Sequence, residues 1–206
     1  MYKPKPRREV LIVDLLPTVN VLLILLMFIV INGKPKLRCP IEITPPFTSS
    51  NLIYDDFDGD MVTILIAQGK VMLELPGNNI REQALKQMGV LYSISFLPQE
   101  ITKFGTTDII GTPVKDLRKY INGYYDPREY YAQKGLMTDT TSNELFNWLY
   151  ASRTAYGMLA GKSLRVSIKA DQNTNYTVIK RIISILQSQK VNKFTLITSY
   201  KYSRYE

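Results

Sequence analysis

Four residues inside an otherwise apolar stretch carry the chemistry of this chain. Between Val10 and Ile31 only Asp14, Pro17, Thr18 and Asn20 interrupt a continuous aliphatic run. Asp14 can hold or release a proton. Thr18 and Asn20 offer hydroxyl and amide hydrogen bonds, and Pro17 shapes any helix that contains it. A carboxylate in a membrane segment costs about 2.5 kcal/mol or more and therefore faces a protein interior or an ion path. The pattern predicts proton handling or polar helix–helix contacts within a bilayer.

Other chemistries are nearly excluded. The chain has no histidine and a single cysteine, Cys39, so zinc sites and Ser-His or Cys-His nucleophiles lack their parts. Gly161-Lys162-Ser163 ends like a phosphate-binding loop, but the first glycine would fall at residue 156, which is Tyr156. The acidic run Asp55 to Asp60 has the density of a calcium loop. A twelve-residue loop opening at Asp56 would need a glutamate at its end, where Ala67 stands. No metal, cofactor or covalent catalysis is expected.

The element that positions the polar residues spans 22 residues, the length a helix needs to cross a core of roughly 30 Å. Lys3, Lys5, Arg7 and Arg8 precede it, as in a signal peptide. The apolar stretch is too long for one, and Asn32-Gly33-Lys34-Pro35-Lys36 offers no small-x-small cleavage site. A buried globular helix would show a polar stripe, whereas Val21 to Ile31 is apolar on every side. An uncleaved transmembrane helix over residues 10–32 follows. The net charge of +8 does not indicate nucleic acid: residues 1–38 carry seven basic residues against two acids, leaving +3 for the other 168. The excess flanks the apolar run, where it meets lipid headgroups.

Residues 33–59 read as a tether, with Pro40, Pro45 and Pro46 favouring extended chain. A folded domain is expected over residues 60–206. Met61 to Ala67, Gln68-Gly69-Lys70 and Val71 to Leu75 form a hairpin pattern. Thr141-Ser142-Asn143-Glu144 has the form of a capping box, opening a helix to about Leu159 with Leu145, Phe146, Leu149 and Tyr150 toward a sheet. Leu164, Val166 and Ile168 alternate with polar residues as in a half-buried strand. Val178, Ile179, Ile182, Ile183, Ile185 and Leu186 recur with helical period, and Phe194 to Thr198 is a last strand. The class is α+β: a small domain with a mixed sheet and helices on one face. Residues 80–138 show less pattern, apart from a short helix after Thr112-Pro113 and a cluster of Tyr124, Tyr125, Tyr130 and Tyr131, which is assigned a structural role.

The segment Val13 to Leu23 resembles the membrane helix of the ExbD/TolR family, whose pattern is Asn, two residues, Pro, two residues, Asp, then an aliphatic run. Ile168 to Asp171, Tyr176, Val178-Ile179 and Val191 to Thr198 look like the end of that family's periplasmic domain. The resemblance covers roughly residues 10–75 and 140–199 and leaves 80–138 as an insertion. It implies a biopolymer-transport subunit of the bacterial inner membrane, driven by the proton-motive force. The N-terminus would lie in the cytoplasm and the domain in the periplasm. The implied partners are a pentameric ExbB- or TolQ-like ring, a second ExbD-like chain, a TonB-like protein and membrane lipid. The Pro- and Ile-rich tether, through Ile41 and Ile43, and the last strand, through Phe194 and Leu196, are the expected partner-binding segments.

The chain departs from the family at the titrating position, where it has Asn20. The acid stands six residues earlier, at Asp14. Six residues move a side chain about 9 Å along a helix and roughly 120° around it, so Asp14 does not occupy the same face. Asp14 is then either a relocated proton carrier, or this is the proton-silent member of a pair whose partner keeps the acid. A competing reading is a bitopic envelope scaffold or cell-wall-anchoring module without ion coupling.

Overall fold

The computed structural model describes residues 15–32, 37–49, 61–138 and 143–200. The chain divides into two units between Arg38 and Cys39. In the first, helix α1 (Leu15–Asn32) has 18 residues and none of them is buried. At 1.5 Å per residue it is about 27 Å long, close to the bilayer core. It is long and apolar enough to cross a membrane. Pro17 is the third residue of the described helix. Asp14 and residues 10–13 lie outside the described residues.

The second unit is built on a sheet. β1 (Phe47–Thr48) stands apart from it; β2 (Met61–Ala67) and β3 (Lys70–Glu74) form the expected hairpin. Gln68 and Gly69 both take positive φ, as a two-residue hairpin turn requires. One strand extends the sheet beyond β3 and two beyond β2: β4 (Ile109–Ile110), β5 (Arg165–Ala170) and β6 (Thr195–Leu196) give the order β4-β3-β2-β5-β6. β2 runs antiparallel to β3 but parallel to β5, and β5 parallel to β6, so the sheet is mixed. β7 (Ser199–Tyr200) pairs in parallel with β1.

Seven helices accompany the strands among the described residues. After α1 come α2 (Asn78–Leu91), α3 (Pro98–Gly105), α4 (Leu117–Gly123), α5 (Pro127–Tyr131), α6 (Glu144–Ala160) and α7 (Tyr176–Ser188), with a 3-10 turn at Val114–Asp116. The stretch 80–138 is therefore structured throughout, and α2 packs along α6. The short helix after Pro113 is present as the 3-10 turn leading into α4. Asp126 caps α5 by accepting from the Arg128 N–H at 2.9 Å, and Asn175 caps α7 through the Thr177 N–H at 2.9 Å.

Three expectations are corrected. α6 opens at Glu144, with Asn143 in the left-handed region and no side-chain cap bond, so the capping-box register is not the one used; Thr141 and Ser142 lie outside the described residues. Tyr150 points outward at 59 % exposure, and Trp148 and Leu149 carry the buried stripe. β5 is not half-buried: Ser167 is fully buried, because β5 is an interior strand and its hydroxyl bonds Thr63 Oγ1 at 2.9 Å across to β2.

The tether also behaves differently. Ile41 is 2 % exposed and lies in one apolar cluster with Leu65, Ala67, Met72 and Ile109, with Ile43 packed against it. These residues share one sheet face, since side chains alternate along each strand. Residues on the other face, including Val62, Ile64 and Leu73, are equally buried. With Ile41 and Ile43 on the first face, the buried stripes of α2, α6 and α7 supply the cover for the second. Backbone bonds hold the covering segment: the Gln172 N–H donates to Thr44 O at 2.9 Å and the Ser199 N–H to Pro46 O at 3.0 Å. The Thr44 N–H donates to Asp171 Oδ1 at 2.9 Å. That bond and the Asn173 amide hold the Asp171 carboxyl below the usual range. Residues 39–49 thus pack with the domain, and residues 50–60 lie outside the described residues.

Ile41→Ala should destabilise the domain by about 2–5 kcal/mol, the usual cost of emptying a buried isoleucine site. Urea unfolding would measure it, and an unchanged midpoint would mean that residues 39–49 are not part of the cooperative unit.

Candidate functional site

The polar positions of α1 do not converge on one side. Thr18 and Asn20 are two residues apart, which at 100° per residue turns them about 200° from each other. Thr18 bonds its own helix, its Oγ1 donating to Leu15 O at 2.7 Å. Asn20 stands about 7.5 Å along the axis from Leu15, on the same side as Pro17 three residues before it. Of the expected intramembrane set, then, Pro17 and Asn20 share a face, Thr18 lies on another, and Asp14 is outside the described residues.

The second expected surface is the last strand. Of Phe194 to Thr198 only Thr195 and Leu196 pair with β5, opposite Ser167 and Ile168. The Ile197 N–H donates to Ile168 O at 2.9 Å as the last rung, and the chain then turns into β7 beside β1. β6 is nevertheless an edge of the five-stranded sheet, with Leu196 half exposed and Phe194 37 % exposed. Ile41 and Ile43 are not a docking surface; they are packed against this chain's own sheet.

A third region was not visible as a site in the sequence. Gln133, 2 % exposed, accepts from the Gly111 N–H at 2.6 Å through Oε1 and donates through Nε2 to Tyr130 O at 3.0 Å. It floors a cavity of about 230 Å³ lined by Thr112, Pro113, Asp116, Lys119, Tyr120 and Lys134 among others. Two ion pairs stand at this cavity: Lys119–Glu129 at 2.9 Å and Lys134–Asp116 at 3.5 Å. The Tyr120 hydroxyl donates to Ile109 O, and burial pushes its pKa far up, with Tyr124 and Tyr130 adding to the shift. These groups satisfy one another and leave no nucleophile–base pair. Among the described residues no three of His, Cys, Asp or Glu are placed to hold a metal ion. Gly161 takes the left-handed conformation that ends α6, so Gly161-Lys162-Ser163 follows a helix and has no strand before it.

Beside this region, Glu144 is 4 % exposed and joins α6 to the 3-10 turn, its Oε1 accepting from the Val114 N–H at 3.1 Å. Its Oε2 is buried with no hydrogen-bond partner among the described residues. Burial raises the Glu144 pKa, opposed by the Val114 and Met137 amides and by Lys115, while Asp116 adds to the rise. The chain matches no protein family, no curated protein and no solved structure.

A carboxyl whose pKa is higher folded than unfolded binds its proton more tightly in the native state. The charged form therefore destabilises the fold above the folded pKa, and acidification toward the ordinary range near 4.3 relieves it. Wild type should gain stability relative to Glu144→Gln as pH falls from 7 into that range. Parallel urea midpoints for the two proteins at pH 7 and pH 5 would contradict this.

Proposed function

We propose that the chain is a single-pass subunit of a proton-motive-force-driven motor of the ExbD/TolR type in the inner membrane of a Gram-negative bacterium, and the proton-silent member of its helix pair. The observation that carries the reading is α1: a helix with no buried residue and apolar on nearly every side, which still places the Asn20 amide within its span. An amide in hydrocarbon is satisfied by neighbouring helices, and a ring of ExbB- or TolQ-like subunits supplies them. Asn20 can exchange hydrogen bonds with such a ring but cannot carry a proton. The domain then passes force to a TonB-like protein, with a second ExbD-like chain completing the pair. The exposed β6 edge offers backbone groups for either contact, through Phe194 and Leu196.

One observation favours the competing scaffold reading: α1 as described contains no ionisable side chain. Two experiments separate the readings. A tagged copy purified in mild detergent should bring down a polytopic ring protein; its absence would leave the scaffold. In the motor, Asp14→Asn should leave energised outer-membrane uptake intact, and Asn20→Ala should cost only a hydrogen bond of about 0.5–1.5 kcal/mol. Loss of uptake in Asp14→Asn with normal assembly would make Asp14 the carrier. Sidedness is tested at Cys39, which is exposed. A membrane-impermeant maleimide should label it in intact spheroplasts, and labelling only after lysis would reverse the orientation.

A further inference from the structure

Three buried polar atoms gather at the head of α6: Asn143 Oδ1, Glu144 Oε2 and the Trp148 Nε1–H. None has a hydrogen-bond partner among the described residues. Glu144 and Trp148 are 4 % and 0 % exposed, so bulk solvent does not reach them. A buried polar atom left unpaired costs about 1–3 kcal/mol, and native folds pair nearly all of them. Arg81, Gln133 and Ser167 follow that rule with protein partners. The head of α6 calls for a partner of another kind.

Helix geometry sets the three atoms around one point. Glu144 and Trp148 stand four residues apart on α6, neighbours on one face. Helical side chains lean toward the N-terminus, so the Trp148 indole extends back over the turn that holds Glu144. Asn143 enters that turn in the left-handed region, and its side chain caps no helix amide. Phe104 stacks near Trp148 at 5.7 Å, and Glu144 Oε1 accepts from the Val114 N–H at 3.1 Å, which fixes both side chains. An indole N–H only donates, whereas a carboxylate and an amide oxygen only accept. The missing partner must therefore take one hydrogen bond and give two. Water does so, and a buried water makes about three hydrogen bonds. A metal or ammonium cation would leave the indole N–H unmet, and an anion would meet the Glu144 carboxylate with like charge.

We infer that the head of α6 is a binding site for one buried water molecule, which bridges the Trp148 Nε1–H to Glu144 Oε2 and Asn143 Oδ1. Through one carboxylate oxygen Glu144 reaches the 3-10 turn, and through the other and the water it reaches the ring at the centre of the helical layer. The water is thus part of the joint between α6 and residues 114–116. This inference stands apart from the motor reading and does not depend on it.

The chain has a single tryptophan, so one indole resonance reports on the site. The full chain in detergent micelles, with nitrogen-15 in its tryptophan, should show a dipolar cross-peak between the Trp148 indole proton and water. Its sign should match the diagonal in the laboratory frame and oppose it in the rotating frame, as for a water held much longer than surface hydration. Glu144→Gln keeps an acceptor but has no carboxyl proton to relay exchange with solvent, and the cross-peak should persist there. Glu144→Met removes the acceptor at similar size and should weaken the cross-peak severalfold. A wild-type indole proton without dipolar contact to water would overturn the bridge, whether the indole bonds Glu144 directly or nothing. Loss of the cross-peak in Glu144→Gln would also overturn it, because the carboxyl proton would then have carried the signal. An undiminished cross-peak in folded Glu144→Met would place the water elsewhere and overturn the bridge as well. Should that variant fail to fold, the wild-type and Glu144→Gln spectra decide by themselves.

Discussion

The domain depends on the pairing of β2 with β5, two strands about a hundred residues apart in sequence. Their register sets Ile64 against Ile168 and Thr63 against Ser167, whose hydroxyls bond across the buried interior. A one-residue slip would turn every side chain to the wrong face and would set apolar residues against the Ser167 hydroxyl. Once this pair is set, the β2–β3 hairpin carries the sheet to β4 on one side. The crossover through α7 carries it to β6 on the other.

A central strand buried on both faces needs two covers. The helices provide one, with Trp148 stacked near Phe104 at 5.7 Å between centroids and Leu145 and Leu149 on the same stripe. The other comes from the short segment that begins the domain, where Ile41 fills the space over Leu65 and Met72. The first residues of the domain are thereby committed to its core. Force or motion transmitted along the chain from α1 would reach the sheet directly through Ile41 and the Thr44–Asp171 bond.

Residues 80–138 attach to this frame through buried polar groups. Arg81 donates to Leu75 O at 2.9 Å and to Gly105 O at 3.0 Å and pairs with Asp108 at 3.2 Å, tying α2, the end of β3 and the approach to β4 together. Gln133 does the same for α5 and the chain after β4, and Glu144 joins α6 to the turn before α4. Arg81 and Gln133 are polar groups whose desolvation is offset only in the correct arrangement, so their contacts specify the packing as well as holding it.

By itself the sequence determined the elements whose pattern is local. These are the long apolar helix, the hairpin around Gln68-Gly69, the strand and helix from residue 165 to 188, and the α+β class. Each is written in a period of 2 or 3.6, or in a turn residue, that needs no distant partner. Tertiary structure decided what is set by contacts between distant segments. Ile41 looked like part of a loose tether because a single isoleucine among prolines has no periodicity, yet the exposed sheet face draws it in. Ser167 reads as solvent-facing in an alternating strand and is buried because strands flank it on both sides. The tyrosines divide into a buried pair and an exposed pair according to which rings the folded chain encloses, and nothing in their spacing reveals that.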